Sequence, residues 1–216
     1  MGREMPIIAM YDLHAETPLY HLVYDFRKVF GDGIDQAQPS LYVAGNAQRV
    51  HDSIRAEWQL LKSREIVPWL SAGTYGEFEP YKLEYMILEA MLNGAQGITY
   101  YWWGDFETPW DYYYHAKALM HLAPYEDLIM DGEPVELTGS NDALTYSAIR
   151  NGDEMLILVG NYMNAPDGTT TINLPFASVT SIEDARGDLR YANVPKLELS
   201  VEPQKIMLLH VVGRGQ

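Results

Sequence analysis

The stretch GAQGITYYWWGDFETPW, residues 94–110, sets the reading of this chain. Ile98 to Trp103 is an uncharged run of β-branched and aromatic residues, the pattern of a parallel strand covered on both faces. Asp105 and Glu107 follow at once. Thr108 then suits a helix N-cap and Pro109 the first helical position, because a threonine oxygen can accept an orphan N–H and proline has none to lose. The two carboxylates therefore belong to a βα loop, and in parallel α/β folds such loops lie at the carboxyl ends of the strands, where ligands bind.

Working back from that stretch, the first ~130 residues alternate strand and helix at the ~30-residue period of βαβ units. Four strands are predicted: Pro6 to Tyr11, Ser40 to Ala44, Ile66 to Ser71 and Ile98 to Trp103. Between them, Val50, Ile54, Trp58 and Leu61 form one helical stripe, and Leu83, Met86, Ile87, Ala90 and Met91 another. A last helix is predicted from Pro109 to about Met130. A short echo links the ends of this section, since Tyr11-Asp12 precedes Glu16-Thr17-Pro18 much as Gly104-Asp105 precedes Glu107-Thr108-Pro109.

Beyond Gly132 the pattern changes to short alternating runs bounded by Gly, Asn, Asp and Pro. They are Ala143 to Ile149, Met155 to Gly160, Thr169 to Leu174, Val179 to Ile182, Leu189 to Ala192, Lys196 to Val201 and Lys205 to Val211. Runs at this spacing predict a small antiparallel β-sandwich, with Asn151-Gly152 read as a type I′ hairpin turn. The fold class is α/β followed by all-β, with domains over residues 1–132 and 133–216.

Composition narrows the partners. Thirty acidic against fifteen basic side chains give a net charge of -15, which disfavours nucleic acid and anionic membranes because there is no basic stripe to release counterions. A neutral partner fits better. The absence of cysteine excludes disulfides, Cys-ligated zinc and thiol catalysis. No apolar run approaches the ~20 residues that cross a bilayer. The opening MGREMPIIAMYDLH turns acidic too soon for a signal peptide, so an export signal would have to lie upstream of Met1, and the compartment stays open. There is no Gly-rich phosphate loop after a strand and no nucleophilic serine motif, and no cofactor is expected.

An α/β section closing on GITYYWWGDF, then a helix, then a β region containing MLILVGNYMN, resembles the C-terminal part of (β/α)8-barrel glycoside hydrolases with an appended β domain. A full barrel has eight strands, whereas four are predicted here, so the resemblance is to the second half of a TIM barrel. It implies that the first half lies on another polypeptide or is missing, or that a second copy of this chain replaces it in a homodimer. An isolated half barrel would leave sheet edges and an apolar interior open.

Glycoside hydrolysis needs two carboxyl groups flanking the scissile bond. The candidates by position are Asp12 after the first strand, Glu77 in the TYGEFEP loop after the third, and Asp105 after the fourth. The resemblance implies a glutamate nucleophile at the end of barrel strand seven, for which Glu77 is the nearest match. The acid after barrel strand four has no counterpart in this half. Trp103 and Tyr75 offer flat faces for sugar C–H groups. His14, Asn46 and Glu107 are further candidates for carbohydrate binding, with Asn46 equally a helix N-cap, Glu107 equally a charge at a helix start, and no metal site assigned to His14. A non-catalytic carbohydrate-binding or scaffold protein is the alternative reading.

Overall fold

A parallel sheet organises the first part of the chain, and two antiparallel sheets organise the second. The computed structural model describes residues 8–12 (backbone alone at 9–12), 33–61, 65–72, 78–100, 106–187 and 189–215. By internal packing it divides into Met1–Ala116 and Lys117–Gln216.

The parallel sheet contains β1 (Ile8–Asp12), β2 (Gln36–Leu41), β3 (Glu65–Ile66), β4 (Trp69–Leu70) and β5 (Thr99–Tyr100) in the order β1-β2-β4-β5, with β3 also on β2. β3 and β4 are one path interrupted at Pro68, which has no N–H to give to a ladder. The path nevertheless stays in the sheet, since Val67 N donates to Ala37 O at 2.9 Å and Thr99 N donates to Pro68 O at 2.9 Å. Helices α1 (Ala47–Leu60), α2 (Tyr81–Leu92) and α3 (Pro109–Leu122) follow β2, β4 and β5 in turn. The connection from β1 to β2 lies outside the described residues.

Side chains along these strands alternate between two faces. Ala37, Leu41, Ile66 and Leu70 are fully buried, as are Val50 and Ile54 of α1 and Leu83, Met86 and Ile87 of α2. On the opposite face Gln36, Gln38, Ser40, Trp69 and Thr99 are only half-buried. That face is polar and internally bonded: Trp69 Nε1 donates to Gln38 Oε1 at 3.1 Å, and Gln38 Nε2 donates to Gln36 Oε1. Full burial on both faces was expected at Ile98 to Trp103, but Ile98, Thr99 and Tyr100 are all half-buried.

β2 lies earlier than the Ser40 to Ala44 expected, because Ala44 (φ 49°) and Gly45 (φ 75°) turn the chain out of the sheet. On α1 the buried stripe is Ala47, Val50, Ile54 and Glu57, with Trp58 half-buried. The helix predicted to reach Met130 stops at Leu122. A 3-10 turn, Ala123–Tyr125, then leads to α4 (Glu126–Asp131). Pro124 accounts for the break, since its ring opposes the carbonyl four residues earlier and it has no N–H for that bond.

In the second unit, β6 (Glu133–Pro134), β7 (Thr145–Asn151), β8 (Glu154–Gly160), β10 (Ser178–Asp184) and β12 (Ile206–Arg214) form an antiparallel sheet in the order β10-β12-β8-β7-β6. β9 (Thr169–Asn173) and β11 (Lys196–Ser200) pair separately. Ala148, Met155, Ile157, Val159, Leu209 and Val211 of the first sheet share one apolar cluster with Ile172, Leu197 and Leu199 of the second. A short bond between the Tyr146 hydroxyl and Thr170 Oγ1, 2.6 Å, joins β7 to β9.

One turn and one strand reading are corrected. Asn151 pairs with Glu154, so the hairpin loop is Gly152-Asp153 rather than Asn151-Gly152. Gly152 has φ 56° while Asp153 is not left-handed, the pattern of a type II′ turn, which needs glycine at its first central position. The run Leu189 to Ala192 forms no strand. It contributes only the bridge of Arg190 to Glu183 and a bond from Tyr191 N to Ile182 O at 2.9 Å.

Candidate functional site

The carboxyl edge of the parallel sheet is defined by its register. Asp12 pairs with Ser40, Ser40 with Trp69, and Trp69 with Thr99, while one residue further Leu41, Leu70 and Tyr100 align. Neighbouring strands lie ~4.8 Å apart. Asp12 closes β1 in this row; its side chain, with Glu77, Asp105, Trp103, Tyr75 and His14, lies outside the described residues. What the structure does place is the framework on either side of these candidates.

Phe78, bonded to Glu77 in the chain, packs directly on Gly45 in the loop after β2. A Cβ built on Gly45 would stand 2.7 Å from the Phe78 ring, so glycine is required both for that approach and for its φ of 75°. Phe78, shortly before α2, is thereby held against the turn after β2. Phe106, bonded to Asp105 in the chain, is clamped by Tyr100 at 4.9 Å, Tyr112 at 4.9 Å and His115 at 5.6 Å between ring centroids. The Tyr100 and His115 contacts are edge-to-face and the Tyr112 contact is tilted; an aromatic pair such as Phe106–Tyr100 is worth about 0.5–1.5 kcal/mol beyond burial.

The Tyr100 hydroxyl lies 3.0 Å from His115 Nδ1. Burial raises the Tyr100 phenol and lowers the His115 imidazole, so the charged form of each is disfavoured. Below Phe106 the entry to α3 is a capping box. Asp111, at the third helical position and buried, accepts from Thr108 N at 2.8 Å and from Thr108 Oγ1 at 2.9 Å. Thr108 was expected to cap through its own oxygen; instead its N–H and its hydroxyl both donate to Asp111.

These two clamps share a sequence signal that strand counting passed over. Gly76-Glu77-Phe78-Glu79-Pro80 and Gly104-Asp105-Phe106-Glu107-Thr108-Pro109 both run acid, phenylalanine, glutamate, then proline at a helix start. In each, the phenylalanine fixes the chain one residue past the candidate acid.

Asn46 and Glu107, and Glu79 of the TYGEFEP stretch, lie among the described residues. Asn46 caps α1, its Oδ1 accepting from Arg49 N at 3.0 Å. Glu107 is exposed just before α3. Glu79 pairs with Lys82 at 2.7 Å, and that hydrogen bond holds its carboxyl below the usual range. Elsewhere, α1 and α2 are joined by a polar cluster that sequence spacing did not suggest. His51 Nδ1 is 3.3 Å from Glu89 Oε2, and Asn93 Nδ2 donates to the same oxygen at 3.0 Å. Burial opposes the charged form of His51, but its bond to Glu89 and the nearby carboxylates outweigh this and raise its pKa. Among the described residues no group of three His, Asp or Glu is placed to hold a metal ion, and no helix is long and apolar enough to cross a membrane.

No protein-family model and no curated protein matches the sequence. Solved structures do. The fold is similar to a β-L-arabinopyranosidase of GH27 from Geobacillus stearothermophilus (TM-score 0.61, 8% identity, 88% of this chain and 48% of that one). It is similar also to an α-amylase from Geobacillus thermoleovorans (TM-score 0.60, 12% identity, 95% and 53%). A GH30 endoxylanase from Clostridium papyrosolvens is a third (TM-score 0.54, 16% identity, 85% and 50%). The chain thus spans about half the length of these structures. At such identities the likeness is one of fold, and it crosses several glycosidase families: this chain has the architecture of part of a barrel glycoside hydrolase, with a parallel half-barrel sheet followed by antiparallel sheets.

Proposed function

We propose that this chain is the second half of a (β/α)8-barrel glycoside hydrolase, with four βα units and a C-terminal β-sandwich, acting on a poly- or oligosaccharide by carboxylate acid/base catalysis. The observation that supports the reading is the pair of anchored phenylalanines that follow the candidate acids in sequence. Glu77 and Asp105 each precede a phenylalanine anchored by packing, on Gly45 in one case and on Tyr100, Tyr112 and His115 in the other. Loops that carry catalytic acids need rigid support, because small displacements of a reacting group are costly in rate. The face formed by Gln36, Gln38, Ser40, Trp69 and Thr99 is half-buried and polar, where an apolar barrel interior was expected, and in this reading its polar groups suit a face turned toward sugar hydroxyls.

In this reading Asp12, Glu77 and Asp105 supply the carboxyl groups that this half contributes, Trp103 and Tyr75 the apolar faces for sugar rings, and the remaining acid comes from the complementary half. The whole barrel is the catalyst.

The test is hydrolysis of a panel of neutral glycans by the full-length gene product and its Asp12→Asn, Glu77→Gln and Asp105→Asn variants. Loss of a positioned acid or base lowers kcat by about 10²–10⁴-fold, and at least one variant should fall that far while still binding glycan by calorimetry. Turnover within a few-fold of the parent in all three would remove these residues from the mechanism. Glycan binding without turnover in the parent would make the protein a non-catalytic binder.

A further inference from the structure

The dipeptide Asn-Gly occurs twice in this chain, at Asn93-Gly94 and at Asn151-Gly152. It is the pair most open to attack by the backbone on a side-chain amide, because glycine has no Cβ to keep its nitrogen away from the preceding asparagine. The two copies lie in opposite surroundings. Asn93 is fully buried at the end of α2, where its Nδ2 donates to Glu89 O at 2.8 Å and to Glu89 Oε2 at 3.0 Å. Gly94 N, the nitrogen that would attack, donates to Met91 O at 3.4 Å. Both reacting groups of that copy are engaged, in a place closed to water.

Asn151 sits instead at the tip of the β7–β8 hairpin, exposed together with Gly152, Asp153 and Glu154. It pairs with Glu154 in the last rung of the ladder, which leaves Gly152 N in the turn and outside the strand pairing. A Cβ built on Gly152 would meet nothing within 4 Å, so there is room for a ring to close there. Arg150 Nε donates to Gly152 O at 2.9 Å, which sets a positive charge beside the amide that must give up its proton. Bringing Gly152 N onto Asn151 Cγ requires only that the terminal rung open, while the next rung, Arg150 with Met155, stays closed. Freeing Asn93 requires the α1–α2 contact at His51 and Glu89 to separate. The first opening lies at the low end of local unfolding free energies and the second near the high end.

We propose that Asn151 is a site of self-modification, at which Gly152 N attacks Asn151 Cγ and the residue converts to aspartate and isoaspartate, while Asn93 stays intact in the folded protein. In the first step the bond from Gly152 N to Asn151 Cγ forms and the Cγ–Nδ2 bond breaks. Ammonia leaves, taking the proton from Gly152 N, and a cyclic succinimide remains. Water then opens the ring. Cleavage of the new bond to Cγ gives aspartate; cleavage of the bond from Gly152 N to the Asn151 backbone carbonyl gives isoaspartate, whose main chain runs through the former side chain. Either product places a further carboxylate beside Asp153 and Glu154. Isoaspartate also lengthens the backbone at the terminal rung, so that rung no longer closes on Glu154. The inference stands whether or not the barrel reading does.

Incubation of the folded chain at mildly alkaline pH, with tryptic peptides followed by mass spectrometry over time and a parallel sample held in concentrated urea, tests this. The amide-to-acid mass gain should appear in the peptide that begins at Asn151, with fragmentation placing it on that residue and chromatography resolving the aspartate and isoaspartate forms. In the folded chain it should arise at least about tenfold faster there than at Asn93. In urea the two sites should convert at similar rates, because each asparagine then precedes an exposed glycine. Asn151→Gln should remove the change at the hairpin and leave the circular dichroism spectrum as it was. Conversion at Asn93 as fast as at Asn151 in the folded chain would overturn the proposal. So would an Asn151 that stays intact while folded and converts only in urea, or a mass gain in that peptide that Asn151→Gln does not remove.

Discussion

The antiparallel unit and the parallel unit treat their sheets differently. In the antiparallel unit the strands are five to nine residues long, apart from the short β6, and the inward side chains of both sheets meet in one apolar cluster. Its internal polar groups are answered locally. Buried Asn161 donates to Ala165 O and Val201 O at 2.9 and 3.0 Å and accepts from Ala165 N at 2.8 Å. Among the described residues the parallel sheet carries its fully buried apolar side chains on one face, while the other offers amides, a serine, a threonine and an indole at half burial. The first arrangement is what a sheet adopts when it encloses its own core. The second is what a sheet adopts when its other face serves a binding site or a further part of the protein.

That contrast can be broken most forcefully in the antiparallel core. Ile157→Ala removes a fully buried side chain from the shared cluster and should cost about 2–5 kcal/mol, read as a drop in the urea midpoint with unchanged slope. Gly168→Ala should cost somewhat less, about 1–3 kcal/mol, because its Cβ would run into the Val201 carbonyl and the bond from Val201 N to Gly168 O at 3.0 Å would have to shift. In the parallel unit, Asn46→Ala should cost about 0.5–2 kcal/mol through the lost α1 cap. The same variant sharpens the site, since glycan affinity in the full-length protein should stay unchanged if Asn46 serves only as the cap.

The smallest effects distinguish two histidines of the parallel unit by sign. The pKa of His51 is raised in the fold, so its contribution is present below the ordinary histidine range and fades as pH rises through the raised value. The pKa of His115 is lowered by burial, so its contribution is present above the ordinary range and fades as pH falls through the lowered value. Urea midpoints measured between about pH 5 and 8 should therefore lose opposite slopes in His51→Gln and His115→Gln. Equal pH dependence in both variants would contradict the assignment.

The sequence reading located most of the architecture and less of the site. Uncharged apolar runs at a regular spacing pointed to the parallel-strand regions, and 3.6-residue stripes to helices α1 and α2, because burial writes itself into the sequence. The misses have specific causes. Pro124 ended α3 eight residues before the apolar pattern did. Ala44 and Gly45 took left-handed conformations that an apolar run conceals. Leu189 to Ala192 has strand composition but only one bridge to hold it. At the site, candidate acids were found by their place after strands, whereas Phe78 and Phe106 went unnoticed because a phenylalanine in a loop carries no periodic signal. The repeated acid-Phe-Glu arrangement before Pro80 and Pro109 was the available clue. The His51–Glu89–Asn93 cluster joins residues 38 and 42 apart, a pairing that no local pattern encodes.

The central claim is that the half-buried polar face and the acidic segments before Phe78 and Phe106 belong to a barrel that another half completes. Its most direct test is glycan hydrolysis by this chain alone, set against the same chain produced together with whatever coding sequence precedes it in its gene. The account expects turnover only when the preceding segment is present, and loss of that turnover in Glu77→Gln or Asp105→Asn. Full activity from the 216-residue chain by itself, or an active longer protein indifferent to both substitutions, would contradict it.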